Sequence, residues 1–251
     1  MVRSSLVLAA GLSTRLGKPK QLIDINGHPL IWYPLSVLAS IGVVETCIVT
    51  RREVADKIKN IANKIFGSGS ASIIINSHPE KENGYSMLLG LKECFAKENG
   101  YVFVSMSDHI YSPYIAMRLS EAGYATLLPY YIAGDEYPEF IDVNEATKIL
   151  ADNIRGYRVG KDLAAWNMID TGVHLVSPES VLALVASMGL DRGEVVKLNN
   201  ITDSLAQIGC LGVSSFKQLP WTEIDTIEDL QEVLRGRRRK VVKHVIEWLR
   251  G

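Results

Sequence analysis

The first hundred residues alternate between short apolar runs and longer stretches of helical period. "SLVLAA" (5–10), "ETCIVT" (45–50), "ASIIIN" (71–76) and "YVFVSMSD" (101–108) read as strands. Between them lie "PLIWYPLSVLASIG" (29–42), "EVADKIKNIANKIFG" (53–67) and "GYSMLLGLKECFAKENG" (84–100), with Gly42 and Gly67 as helix stops. Pro34 fits its helix only within the first turn, where no backbone N–H is required. Apolar strands joined by helix-length crossovers imply a parallel sheet covered on both faces. The expected fold is therefore α/β, a Rossmann-like mostly parallel sheet with helices on both faces.

The rhythm changes after about residue 124. "ATKILADNIRGYRVGKDL" reads as a hairpin turning at Asp152-Asn153 rather than a crossover. "GVHLVS" is a further strand, a helix follows from Pro178, and "CLGVSSFK" is a late strand. "TIEDLQEVLRG" is a helix whose Thr226 and Asp229 are spaced as a capping box. No repeat or low-complexity linker divides the chain. The expected organisation is one domain over residues 1–234, with a substrate-binding β-hairpin elaboration at about 129–174, and a separate basic helix over 235–251.

The net charge of −1 over 251 residues argues against a general nucleic-acid binder. The charge is unevenly placed, however. The last 17 residues hold seven Lys/Arg and one Glu, so the other 234 residues carry −7. Cys47, Cys94 and Cys210 match neither a zinc spacing nor a disulfide framework and are expected as reduced thiols. No apolar run approaches bilayer length, and the N-terminus lacks a signal-peptide core. A soluble cytoplasmic protein is the expectation.

"LVLAAGLSTRLGKPKQL" (6–22) places Arg15, Lys18 and Lys20 on a glycine-bearing loop after the first strand. It is not a P-loop: five residues rather than four separate Gly11 from Gly17, and Pro19 stands where a magnesium-binding hydroxyl belongs. Pro19 also disfavours helix at Lys18, so the loop is expected to take an extended path around a phosphate chain. Small residues Ala9, Ala10, Gly11 and Ser13 allow backbone N–H groups close approach to phosphate oxygens. Arg15 and Lys20 supply positive charge. Ligands of open α/β sheets bind beyond the carboxyl ends of strands, which is where this loop lies.

These residues resemble the nucleoside-triphosphate transferase signature LAAGxGxR followed by Pro-Lys, with Ser13 at the second glycine. With "INSHPEKENGYSMLLGLK", "VFVSMSDHIY", "VNEATKI", "GKDL" and "DTGVHLVSP", the chain over roughly residues 4–235 is similar to CTP:inositol-1-phosphate cytidylyltransferases. The resemblance implies attack of an acceptor phosphate on the α-phosphorus of CTP, with pyrophosphate leaving and Mg²⁺ as cofactor. It places Arg15, Lys20, Asp108 and Asp225 at the chemistry, the two aspartates as metal ligands. It assigns Asn83, Gly84 and Ser86 to the nucleotide beside Ala9, Ala10, Gly11 and Ser13. It assigns Lys148, Lys161, Asp170, Thr171 and Gly172 to a small polyol phosphate, with Thr147 framing the same site. His109 is not needed as a base, because a phosphate acceptor is already ionised; it is expected to orient Asp108 or line the pocket. Competing expectations are a sugar-1-phosphate or phosphocholine nucleotidyltransferase of the same fold, and a non-catalytic nucleotide sensor.

The tail, "RRRKVVKHVIEWLRG", sets Val242, Val245, Ile246 and Leu249 on one face of a helix flanked by cations. Two readings follow: contact with an anionic membrane or a membrane-bound transferase, or packing on its own domain or across a homodimer. Enzymes of the resembled family are often fused to a membrane-embedded transferase, and this chain is expected to be a stand-alone form.

Overall fold

The computed structural model describes residues 2–152 and 154–251. The N-terminal half runs β1 (Ser4–Ala9), β2 (Asp24–Ile25), β3 (His28–Pro29), α1 (Trp32–Ser40), β4 (Glu45–Thr50), α2 (Arg52–Phe66), β5 (Ala71–Ile75), α3 (Glu82–Phe95) and β6 (Val102–Met106). Then come β7 (His109–Tyr111), α4 (Pro113–Thr126), β8 (Tyr130–Asp135), β9 (Lys148–Ala151), β10 (Gly156–Gly160), β11 (Met168–Val176) and α5 (Pro178–Ser187). The chain closes with α6 (Leu198–Gln207), β12 (Leu211–Phe216), β13 (Trp221–Glu223), α7 (Ile227–Arg235) and α8 (Arg239–Leu249).

The main sheet has the order β10-β9-β11-β6-β1-β4-β5, with β8 alongside β11 and β12 alongside β8. Strands β6, β1, β4 and β5 are parallel neighbours, and β11 enters antiparallel beside β6. Alternate residues of the strands face opposite layers, as the two-residue period of a strand requires. Val7 and Ala9 join the core under α1, α2, α4, α7 and α8, whereas Leu6 and Leu8 join the core under α3, α5 and α6. The hairpin β9–β10 forms antiparallel. Of its expected turn, Asn153 lies outside the described residues. Pro34 sits in the first turn of α1, and Thr226 and Asp229 make the reciprocal capping box of α7.

Two expectations are corrected, and one choice left open is decided. The thiols are not all reduced: Cys47 on β4 and Cys94 on α3 are joined as a disulfide, and Cys210 is free. Their partnership follows from α3 packing along β4, which brings the two Cα atoms to 6.5 Å, within bridging range. The loop after β1 is not extended. It folds into two short 3₁₀ turns, Thr14–Leu16 and Lys20–Leu22, on either side of Pro19, because Pro19 keeps helix from Lys18 before it while its own fixed φ of −58° is compatible with a turn starting at Lys20. For the tail, the second of the two readings holds: the apolar stripe of α8 packs on its own domain. Val241, Val242, Val245 and Ile246 are buried in the same core as α1, α4 and α7, Trp248 Nε1 lies 3.4 Å from Ser40 Oγ, and His244 Nε2 lies 3.0 Å from Ser112 Oγ. Among the described residues no helix is long and apolar enough to cross a membrane.

One close approach fixes how α3 meets the segment before α6. A Cβ on Gly84 would stand 2.6 Å from the Val196 carbonyl oxygen and 2.8 Å from the Lys197 carbonyl carbon, both backbone atoms that cannot rotate away. Beside it, Asn83 Oδ1 accepts the Leu198 N–H at 2.9 Å. Gly84→Ala is expected to force these segments apart and destabilise the protein by about 1–3 kcal/mol, the usual range for overpacking. Urea unfolding measures this; an unchanged midpoint would show that the junction yields without cost.

Candidate active site

A cleft of about 750 Å³ opens beyond the carboxyl ends of β1 and β6, where an open α/β sheet is expected to take its ligand. One wall is the loop after β1. Ser13, at the position where the resembled signature has glycine, adopts the left-handed backbone conformation (φ 57°) that glycine would supply. Its hydroxyl accepts the Lys20 N–H at 3.1 Å, so the serine pins the loop instead of deforming it. Gln21, fully buried beneath, donates Nε2 to the Ala9 carbonyl at 2.8 Å and leaves its buried Oε1 without a partner among the described residues.

The loop carries Lys20 to the junction of two acidic segments. Asp108 follows β6, and Asp225 precedes α7. The Lys20 ammonium pairs with both carboxylates, at 2.6 Å to Asp225 Oδ1. Arg15 Nη2 reaches the other oxygen of Asp225 at 2.9 Å, and Arg15 Nη1 lies 3.8 Å from Glu145 Oε2. Burial alone would lower the pKa of Lys20, but Asp108 and Asp225 outweigh it and hold the ammonium above its ordinary value. Burial would likewise raise Asp108, yet Lys20 and His109 together hold its carboxyl well below the usual carboxylate range.

His109 supports Asp108 from behind. Its Nδ1 lies 2.8 Å from Asp108 Oδ1, its Nε2 lies 3.4 Å from Glu223 Oε2, and its ring stacks on Trp221 with 6.0 Å between centroids. Burial disfavours the imidazolium, but Asp108 and Glu223 prevail and raise its pKa. Trp221 is itself held by Asp135 at 2.7 Å. Glu223 is raised in turn by burial, with Asp225 and Asp108 adding to it against the pull of His109.

The antiparallel strand β11 brings a second carboxylate network to the cleft. Asp170 Oδ1 accepts the Gly172 N–H at 2.8 Å and lies 3.0 Å from His174 Nε2. His174 Nδ1 lies 2.6 Å from the hydroxyl of buried Tyr130. Burial opposes ionisation of Asp170, but His174 and the Gly172 N–H hold its pKa down. Asp170 Oδ2 makes no hydrogen bond among the described residues. Gly172 has φ +69°, and a Cβ there would stand 2.8 Å from His109 Nε2, so the two networks share one wall.

Of the residues singled out in the sequence, Ala10, Gly11, Ser13, Arg15, Lys20, Asn83, Ser86, Asp108, His109, Thr147, Lys161, Asp170, Gly172 and Asp225 line this cleft. Ala9, Gly84, Lys148 and Thr171 do not. The Ala9 carbonyl is spent on Gln21 and Thr50. Gly84 faces backbone, as described above. Lys148 donates its ammonium to the Lys161 carbonyl at 2.6 Å, supporting that lysine's backbone. Thr171 is fully buried and donates to the Ala133 carbonyl at 2.9 Å. Ser86 Oγ accepts from Asn76 at 2.9 Å, so it too is partly committed. The sequence reading missed Gln21, Glu145, His174 and Glu82. His174 was findable, since it shares the even-numbered face of β11 with Asp170 and Gly172. Glu82 lines the cleft with φ 73° and ψ −177°, a region ordinarily left to glycine.

Asp108 and Asp225, the two metal ligands expected from the sequence, both face the Lys20 ammonium. Among the described residues no three His, Cys, Asp or Glu side chains are grouped to hold a metal. The two carboxylates that share the Lys20 ammonium nevertheless converge on a single positive charge. One or two carboxylates completed by phosphate and water is the donor set Mg²⁺ favours.

The sequence profile of the MobA-like NTP transferase domain matches residues 5–194. The chain is 30% identical over 241 residues to the bifunctional IPC transferase and DIPP synthase of Thermococcus kodakarensis, covering 95% of this chain and 51% of that protein. A protein of the same description from Aquifex aeolicus is 30% identical over 250 residues, covering 98% of this chain and 54% of its own. The chain thus spans about half the length of the curated relatives it matches. The structure of the inositol-1-phosphate CTP transferase from T. maritima superimposes with a TM-score of 0.84 over 98% of this chain and 97% of that one, at 24% identity. It shares the fold.

The shared ammonium has a consequence in acid. Asp108 stays ionised in the folded protein well below ~3.9, the unfolded value. The stability this contributes is present above the unfolded pKa and is lost only as pH falls through the depressed folded pKa. Lys20→Met leaves the burial of Asp108 in place but removes an attraction, so its folded pKa rises. The expected outcome is acid unfolding at a higher pH than wild type, followed by circular dichroism; coincident curves would refute this role of Lys20.

Proposed function

This chain belongs to the MobA-like NTP transferase domain family, and on that premise we propose that it is a nucleotidyltransferase making CDP-inositol and pyrophosphate from CTP and inositol 1-phosphate. The observation that carries the reading is the Lys20 ammonium shared by Asp108 and Asp225 in the same cleft that Lys161 and Asp170 line. The names of the relatives support an inositol phosphate as acceptor and CTP as donor.

The reaction joins anions, so the protein's task is to bring them together and neutralise charge. The triphosphate lies along the loop after β1, where Gly11 and Ser13 offer backbone N–H groups and Arg15 and Lys20 offer cations. Asn83 and Ser86, at the start of α3, face the nucleoside. Lys161 holds the acceptor's phosphate, and the unpaired Oδ2 of Asp170 accepts from a polyol hydroxyl. One acceptor phosphate oxygen then forms a bond to the α-phosphorus while the bond from that phosphorus to the bridging oxygen breaks. Pyrophosphate leaves with the electron pair. No base is required, since the attacking oxygen is ionised at neutral pH. His109 therefore works through Asp108, which it holds in place.

Asp108 and Asp225 would hold Mg²⁺, which when bound supplies charge neutralisation to the triphosphate and the departing pyrophosphate. Arg15 and Lys20, which pair with these carboxylates here, are the cations that would meet the phosphate oxygens.

A panel of nucleoside triphosphates against inositol 1-phosphate, hexose 1-phosphates and phosphocholine, followed by pyrophosphate release, tests the assignment. CTP with inositol 1-phosphate is expected to lead. No turnover with any pair, alongside nucleotide binding, would instead identify a sensor. Asp108→Ala and Asp225→Ala are each expected to lower kcat on the order of a thousandfold, a loss of several kcal/mol of charge stabilisation, with the fold retained. Near-wild-type turnover with magnesium as the sole divalent ion would remove the metal role. Lys161→Ala is expected to raise the KM for the acceptor about 10- to 100-fold, equivalent to ~1.5–3 kcal/mol of charge-assisted hydrogen bonding, while the KM for CTP stays put. Loss of CTP affinity alone would mean the two subsites are exchanged.

A further inference from the structure

The basic C-terminal segment lies outside the matched family domain, yet one of its arginines is buried. Arg238, just before α8, pairs through Nη1 with Asp229 Oδ1 at 2.6 Å. The two side chains are only 9% and 14% exposed. The same Nη1 lies 3.4 Å from the Glu223 carbonyl oxygen. The other oxygen of Asp229 accepts the backbone N–H of Asp225 at 3.0 Å and that of Thr226 at 2.9 Å. Arg238 and Asp229 therefore bracket residues 223–226 from both ends, and Asp225 projects from the middle of that bracket to Lys20 and Arg15. α8 anchors the arrangement from the far side, since Val241, Val242, Val245 and Ile246 are seated in the core.

We propose that Arg238 is a positioning residue for nucleotidyl transfer: through Asp229 it fixes the backbone of Asp225, so that the C-terminal helix sets where this carboxylate points. The inference rests on the reading of Asp225 as a metal-side ligand. Capping of α7 does not require Arg238, because Thr226 and Asp229 complete the capping box by themselves. A buried arginine that reaches one end of a four-residue segment directly and the other through Asp229 fixes that segment's path. Partners of this kind behind a ligating carboxylate typically change metal affinity or activity 10- to 100-fold when removed.

The test uses the full chain with Arg238→Met, Arg238→Lys and Val245→Ala. Val245→Ala loosens α8 without touching Arg238. Three quantities are read: Tm, Mn²⁺ affinity by electron spin resonance with a CTP analogue uncleavable at the α–β bridge, and kcat with both KM values. Arg238→Met is expected to weaken Mn²⁺ binding about tenfold and to lower kcat, with the KM for inositol 1-phosphate unchanged. Arg238→Lys, which keeps one charged donor, is expected to restore most of both. Val245→Ala is expected to lower Tm while Mn²⁺ affinity holds. Should Arg238→Met not fold, Arg238→Gln takes its place under the same criteria. If Mn²⁺ affinity and kcat follow Tm alone across the series, Arg238 is structural and the proposal fails. If instead Asp225→Ala binds Mn²⁺ as well as wild type does, the reading of Asp225 itself is what has failed, and the inference falls with it.

Discussion

The site depends on one ammonium group placed between two carboxylates. Asp108 and Asp225 stand more than a hundred residues apart in the chain, and without Lys20 they would face one another with no charge between them. Breaking a buried ion pair by removing one partner leaves an uncompensated charge and is strongly destabilising. The loop after β1 must therefore deliver Lys20 to one place. Ser13 closes that loop by accepting the Lys20 N–H, Gln21 ties it to the end of β1, and Pro19 separates its two turns. In the proposed reaction a phosphate chain would take over the cations and a divalent ion the carboxylates.

Around this centre the acidic groups are sorted by their surroundings. Asp108 has Lys20 and His109 against its burial and stays ionised, whereas Glu223, almost as enclosed, has neighbouring carboxylates beside it and is raised. Two side chains of similar chemistry are thus shifted in opposite directions within one network. His109 lies between them, stacked on Trp221 and occupying space that a side chain at position 172 would take.

Much of the frame was legible because periodicity, glycine stops and the capping box are local signals. Strands β1, β4, β5 and β6 and the helices between them follow from apolar spacing, and Thr226–Asp229 follows from turn chemistry. What escaped depends on contacts between distant elements. The Cys47–Cys94 pairing needs to know which strand α3 lies along. The burial of α8 needs to know that a groove on α1, α4 and α7 awaits its apolar stripe; the stripe itself is indifferent to whether lipid or protein covers it. Thr171 is a different kind of miss. The two-residue period of a strand already turns it away from the face that carries Asp170 and Gly172. Arg238 was hidden because it stands in a run of cations, and nothing in such a run distinguishes the one that enters the interior.

The two halves of the cleft are built from unlike materials. The wall that would meet the triphosphate is a loop, while Asp170 rides on β11, a strand hydrogen-bonded to β6, β8 and β9. A loop tolerates insertion and small displacement, but a strand shared by three neighbours does not. Descendants of this scaffold would therefore diversify their acceptors by exchanging side chains at fixed addresses, with Asp170 and its buried His174–Tyr130 support changing together, while the anion-holding loop drifts in length and path around an unaltered chemistry.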